Sequence, residues 1–157
     1  MSLIAKLKWQ ISSFMKLEEI KSQFRYKTNI EIRFCDIDLF GHVNNAVYLT
    51  YFEQARSNYW NEVIKWNWDK TGIILAKAEV NFIKPITLND TLTAYVKTSK
   101  IGNSSWDLEY ALFTSTKNGD EFLNTTGKTI QVAIDYNLNK SVPIPELERQ
   151  AMVNFDF

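Results

Sequence analysis

RFCDIDLFGHVNNAVYLTYFEQAR, Arg33 to Arg56, is the stretch whose reading decides the fold. It holds two aspartates, the chain's one histidine, its one cysteine and an Asn-Asn pair. After Asn44 the apolar spacing is helical. Tyr48, Phe52, Ala55 and Tyr59 fall at i, i+4, i+7 and i+11, one face of an α-helix that fades near Val63. Asn44 is placed to cap it, because its side chain can bond a free N–H of the first turn. Before the break the spacing is two. In KTNIEIRF, Ile30, Ile32 and Phe34 point one way and Asn29, Glu31 and Arg33 the other, as in a half-buried strand.

Downstream the chain reads as strands. GIILAKAEVNFIKPI ends at Pro85, TLTAYVKTSKI at GNSS, SWDLEYALFTSTK at NGD, and EFLNTTGKTIQVAID follows. Gly-Asn and Asn-Gly mark turns between runs rich in Val, Ile, Thr and aromatics. Upstream, residues 3 to 24 read as an amphipathic helix on Leu3, Leu7, Ile11 and Phe14. It suits packing on its own domain or a neighbouring subunit; a lid or a membrane-surface helix are the sharper alternatives. PIPELERQ reads as a C-terminal tail or a short final helix. The divisions are thus an N-terminal helical extension over 1–25, a central domain over 26–140 and a tail over 141–157.

One strand, a long helix, then four strands make an α+β fold. The helix must bury its apolar face, and a curved antiparallel sheet wrapped around it is the simplest solution. Such a sheet leaves an edge that invites pairing with a second copy.

The chain has 157 residues and is 45% apolar, enough for one domain with a sizeable core. Eighteen basic and eighteen acidic residues cancel, so bulk charge gives no reason to expect nucleic-acid or anionic-membrane binding. No apolar run is long enough for a membrane span, and no signal peptide is read at the N-terminus. A single cysteine cannot form an internal disulfide, which suits a cytoplasmic protein.

The chemistry narrows by exclusion. There is no G-x-S-x-G and no P-loop. A metal site is disfavoured, because Cys35 and Asp36 on successive strand positions face opposite sides. What remains is a carboxylate, Asp36 or Asp38, beside a helix N-terminus, with Gly41 to turn the backbone. The free N–H groups around Asn45 and Ala46 sit at the positive end of the helix dipole. These are parts of an acyl-transfer site: N–H groups for an oxyanion, a carboxylate as base or nucleophile. Ordinary turn and cap duty accounts for the same aspartates.

The stretch resembles the hydroxybenzoyl-CoA thioesterase group of hot-dog-fold thioesterases. Arg33, Phe34, Asp36, Asp38, Gly41, His42, Val43, Asn44, Asn45, Tyr48, Phe52, Glu53, Ala55 and Arg56 match its pattern. Phe82, Pro85, Ile86 and Asp90 resemble its second-strand segment, and Gly102, Ser104 and Ser105 the segment beyond. The match covers Tyr26 to Tyr136, leaves out residues 1–25, and extends to near relatives that include acyl-ACP thioesterases. It implies a helix wrapped by a bent antiparallel sheet, with two sheets joined in a homodimer or in a tetramer built from dimers. It implies an active site at the dimer interface, with Asp38 as the catalytic carboxylate and the Asn45 backbone N–H as oxyanion donor. No cofactor or metal is required.

Asp36 is expected to support the loop; on a continuing strand it would share a face with Asp38. His42 is expected to shape the pocket, and Tyr48 either lines it or fills the core. Glu53 and Arg56 are spaced for a local ion pair. Cys35 is expected to be an inert strand residue. CoA phosphates would want cations, for which Lys84, Lys97 and Lys100 are candidates, with Asn103, Ser104 and Ser105 as neutral donors. The leading expectation is hydrolysis of acyl-CoA to a carboxylic acid and free CoA. Hydrolysis of acyl-carrier-protein thioesters, or binding of acyl thioesters without turnover, are the alternatives.

Overall fold

The computed structural model describes residues 15–157. Residues 1–14 lie outside it, and with them most of the expected N-terminal helix. The described part of that helix, α1, covers residues 15–22. The elements that follow are β1 (Tyr26–Ile30), a 3-10 turn (Phe34–Asp36), α2 (Val47–Tyr59), a π-helical turn (Trp60–Ile64), β2 (Gly72–Phe82), β3 (Thr91–Ile101), β4 (Ser105–Ser115), β5 (Glu121–Asp135), β6 (Lys140–Ser141) and α3 (Glu146–Asp156).

The strands form one antiparallel sheet in the order β1-β3-β4-β5-β2, with β6 paired to β5 beyond the end of β4. α2 carries the chain from the β1 edge to the β2 edge. On one sheet face alternate residues are buried under it: Leu92, Ala94 and Val96 of β3, and Trp106, Leu108, Tyr110 and Leu112 of β4. The face of α2 read from the sequence, Tyr48, Phe52, Ala55 and Tyr59, is the buried face. Phe52 stacks on Tyr110 with ring centroids 4.3 Å apart. This contact needs Gly127: a Cβ there would lie 2.3 Å from the Phe52 ring.

α1 lies on the opposite face. Phe24 meets Tyr95 edge-on at 6.0 Å, and Lys21 pairs with Glu18 and Glu121 above the Phe113 ring. The described part of the extension thus packs on its own domain. The C-terminal stretch is an eleven-residue helix joined to the core. Met152 is fully buried, and Asp156 Oδ2 accepts from Tyr59 Oη and from Thr98 N. Among the described residues no helix is long and apolar enough to cross a membrane.

One expectation fails locally. β1 ends at Ile30 instead of continuing through Phe34. The Arg33 N–H donates to Asp36 Oδ2 at 2.9 Å and closes a 3-10 turn, which leaves Phe34 84% exposed. A tight turn closed by a buried carboxylate overrides the alternation of two.

Candidate active site

The 3-10 turn fixes Asp36, which is 1% exposed. The Arg33 guanidinium grips it through Nε at 3.1 Å and Nη2 at 2.8 Å, and Tyr51 Oη donates to Oδ2 at 2.9 Å. Burial pushes this carboxyl up, but the hydrogen bonds from Arg33 and Tyr51 outweigh it and hold Asp36 below the ordinary carboxylate value. Tyr51 moves the other way, raised first by burial and then by Asp36. Every lone pair Asp36 offers is taken up in structure. It supports the loop and, with no continuing strand, does not share a strand face with Asp38.

Asp38 opens a hairpin loop. Ile37 bridges Val43, and Asp38 N–H donates to His42 O at 2.8 Å. Gly41 N–H returns to Asp38 O at 3.0 Å, and Gly41 sits at φ +78°, where a side chain would be strained. This is a type I turn followed by a left-handed residue, a standard three-residue hairpin loop. Asp38 Oδ1 accepts from Phe40 N–H at 2.8 Å. Among the described residues Oδ2 makes no hydrogen bond. One oxygen thus locks the turn, and the other is unengaged among the described residues.

Asn44 then aims the helix. Its N–H donates to Asp36 O at 2.9 Å, its Oδ1 accepts from Ala46 N–H at 3.0 Å, and its O accepts from Val47 N–H at 2.9 Å. The capping role expected of Asn44 is present, two residues ahead of the formal cap, Ala46. One expectation is corrected: Ala46 N–H is not free, because Asn44 consumes it. Asn45 N–H makes no hydrogen bond among the described residues. Val43 N–H donates to Ile86 O at 2.9 Å and ties the loop to the segment after β2.

Between that segment and the start of α2 lies a pocket of about 260 Å³. Asp38, His42, Asn45, Tyr48 and Lys84 line it, with Phe40, Val43, Phe82, Ile83 and Pro85. Asp38 is half-buried and His42 and Asn45 are exposed. Tyr48 is both core and lining: it is 3% exposed and meets Phe82 edge-on at 4.9 Å. Lys84 Nζ lies over the Phe122 ring. Of the lining, Phe40 and Ile83 carried no sequence signal. Phe82 and Pro85 stood in the quoted second-strand segment but were not read as site residues. Tyr51 falls three residues after Tyr48, off the i, i+4 spacing used to read the face.

The remaining predicted contacts lie elsewhere in the chain. Lys100, Asn103, Ser104 and Ser105 belong to the β3–β4 hairpin, ten strand residues beyond the site end of β3, or about 30 Å along the strand. Arg149 Nη2 donates to Gly102 O at 2.6 Å and Asn103 O at 3.0 Å and holds that hairpin against α3. Lys97 pairs with Glu109 at 3.3 Å. Glu53 and Arg56 pair at 3.6 Å, and Cys35 is exposed. Among the described residues no group of three or more His, Cys, Asp or Glu could hold a metal ion.

Residues 32–152 match the family model of the thioesterase-like superfamily. The uncharacterized protein YsmA of Bacillus subtilis is 27% identical over 141 residues, 89% of this chain and 93% of that one. The long-chain acyl-CoA thioesterase FadM of Escherichia coli is 27% identical over 82 residues, 50% of this chain and 62% of FadM. A Thermus thermophilus thioesterase solved with coenzyme A and Zn is 30% identical, with a TM-score of 0.73 over 85% of this chain and 96% of that one. The Pseudomonas aeruginosa protein PA5185, at 23% identity, shares the fold with a TM-score of 0.77 over 86% of this chain and 94% of that one. The fold, the pocket beside a capped helix start and the match over residues 32–152 converge: the chain belongs to the thioesterase-like superfamily and has the hot-dog fold.

Proposed function

We propose that the protein hydrolyses acyl-CoA thioesters, with Asp38 as the reacting carboxylate and Asn45 N–H as an oxyanion donor. One observation carries the reading. A half-buried carboxylate with a free oxygen and an unpaired helix-start N–H line the same pocket. The thioester carbonyl lies with its oxygen towards Asn45 N–H. Asp38 either takes a proton from an attacking water or attacks the carbonyl itself. Charge gathers on the carbonyl oxygen, where the N–H and the helix dipole stabilise it. Collapse breaks the C–S bond; on the water route it gives the acid directly, and on the direct route it leaves an acyl anhydride on Asp38 that a water then hydrolyses, regenerating the carboxylate. The thiolate leaves as the free thiol once it regains a proton, and a carboxylate remains. Thioester hydrolysis as such is the chemistry of the superfamily; CoA as carrier draws support from the similarity to FadM and to the CoA-bound Thermus enzyme.

The working unit in this reading is a dimer joined along β2. That strand is an eleven-residue edge whose large side chains Ile74, Leu75 and Phe82 are 42–51% exposed. An edge with exposed large apolar side chains is open to pairing with a second copy, even with an irregularity between Leu75 and Lys77. Antiparallel pairing of β2 with its copy, centred near Lys77, sets the Phe82 end of one protomer beside the Gly72 end of the other. Gly72 pairs with Ile134, and Ser105 pairs with Val132 close by, so the β3–β4 hairpin lies at that end. Lys100, Asn103, Ser104 and Ser105, remote from Asp38 in their own chain, then approach the pocket of the partner. There they suit the phosphate end of CoA.

A thiol-release assay tests the reading, run over short, long, branched and aryl acyl-CoAs beside matched acyl-carrier-protein substrates. Turnover of an acyl-CoA that Asp38→Asn abolishes is expected. Full activity of Asp38→Asn would sink the mechanism. Faster turnover on the carrier protein would move the substrate to that class. Tight binding without turnover on the whole panel would favour a binding protein.

A further inference from the structure

Asn44 takes up two of the N–H groups at the start of α2. Ala46 N–H goes to Asn44 Oδ1, Val47 N–H to Asn44 O, and Asn44 N–H to Asp36 O. The unpaired N–H of Asn45, a lining residue, is one donor for an oxyanion that carries three lone pairs. Preorganised donors in a partly water-excluded site stabilise such charge most, and they act together. A second donor in the pocket lining, held in place by packing, would share that charge.

His42, Lys84 and the Asn45 side chain line the pocket but are exposed and solvated. Tyr48 differs. It lies three residues after Asn45, less than one helical turn, and is 3% exposed. Its ring is held edge-on by Phe82 at 4.9 Å and lies 6.2 Å from the Tyr51 ring. Its O–H finds no acceptor among the described residues. The ring is buried while the hydroxyl stays accessible, and the residue lines the pocket. Here the proton is left to whatever occupies the pocket. Burial pushes the ionisation of Tyr48 up, the Ile86 amide offsets this in part, and the charge of Asp38 adds to it. The group therefore stays a donor at neutral pH.

We propose that the Tyr48 hydroxyl is a second oxyanion donor, acting with Asn45 N–H on the tetrahedral intermediate. It donates a hydrogen bond as charge develops and transfers no proton. This rests on the reading of Asp38 and Asn45 given above and adds a catalytic residue to it.

Tyr48→Phe keeps the ring and removes only the hydroxyl. With whichever acyl-CoA the parent turns over, kcat is expected to fall by roughly 10²-fold, as for loss of one oxyanion donor, with KM little changed. Two unreactive ligands separate this from a loss of packing: an S-alkyl CoA thioether, which resembles the ground state, and an acyl-CoA trifluoromethyl ketone analogue, whose hydrate resembles the intermediate. Affinity for the ketone should fall with kcat while affinity for the thioether holds. The ratio of the two affinities does not depend on the fraction folded, so it reads even a destabilised variant. An unchanged kcat, or an equal loss of both ligands, overturns the assignment. Asp38→Asn is assayed alongside. If it is inactive while Tyr48→Phe matches the parent, the Tyr48 role alone fails. If Asp38→Asn is fully active, the underlying reading fails.

Discussion

Asp36 and Asp38 are two residues apart and do opposite work. Asp36 is buried and fully engaged by Arg33 and Tyr51, whereas Asp38 locks its turn with one oxygen and keeps the other free. The difference has a pH signature. The folded value of Asp36 lies below its unfolded value of about 3.9. Its contribution to stability is therefore complete above that value and is lost as pH falls through the lower folded one. Asp36→Asn should cost about 1–3 kcal/mol near neutral pH, the range for disrupting a buried hydrogen-bonded group. The gap in Tm between parent and variant should be flat above about pH 5 and close below about pH 4. A gap that widens with acid would contradict the assignment.

The cap can be separated from the chemistry at Asn44. Asn44→Ala removes the acceptor for Ala46 N–H and should cost about 1 kcal/mol, the usual value for a lost cap. Asn44→Asp keeps an oxygen in the same place and should preserve Tm. It also sets a negative charge at the helix end where the oxyanion develops, which opposes the transition state. The aspartate variant should thus be as stable as the parent and slower by about tenfold, the equivalent of ~1.4 kcal/mol. Calorimetry and thiol release on the same samples check both halves. Equal activity of the parent and Asn44→Asp would place the developing charge elsewhere.

Much of this was legible in the sequence, for physical reasons. The α2 face was readable because Tyr48, Phe52, Ala55 and Tyr59 bury one stripe at a regular period. β3 and β5 coincide with the stretches read between turn residues, since Gly102 and the Asn118-Gly119 pair mark their ends. The end of β1 was not readable: Ile30, Ile32 and Phe34 keep the alternation while a carboxylate three residues from Arg33 breaks the strand. A side-chain hydrogen bond of that kind leaves no periodic trace. The pocket wall was equally hidden, because Phe82 and Ile83 meet Asp38 only through the crossover from one sheet edge to the other. The spent state of Ala46 N–H follows from the rotamer of Asn44, which composition does not encode.

Gly127 gives a test of the helix-on-sheet packing that owes nothing to catalysis. An added Cβ would meet the Phe52 ring at 2.3 Å and Glu79 O at 3.0 Å. Gly127→Ala should destabilise by about 2–3 kcal/mol, as overpacking of a dense core does, and lower Tm by roughly 4–12 °C for a chain of this size. Combining it with Phe52→Leu should recover part of the loss, because the two sites share one contact. Strictly additive losses in the double variant would mean that the strain falls on Glu79 O instead of the ring.

The exposed β2 edge yields the last prediction. Leu75 is 43% exposed and pairs with Gln131 on the one side where β2 has a neighbour. In an isolated protomer Leu75→Glu would meet solvent and cost little. In a dimer joined along β2 it would bury a like charge on each side of the two-fold, which is expensive for both. The variant should therefore elute as a monomer with a secondary-structure spectrum like the parent's. It should also lose thioesterase activity, since Lys100, Asn103, Ser104 and Ser105 would no longer reach a neighbour's pocket. Light scattering during size-exclusion chromatography reads the mass, and thiol release reads the activity. A monomeric Leu75→Glu that keeps parental kcat/KM would show that one chain holds a complete site.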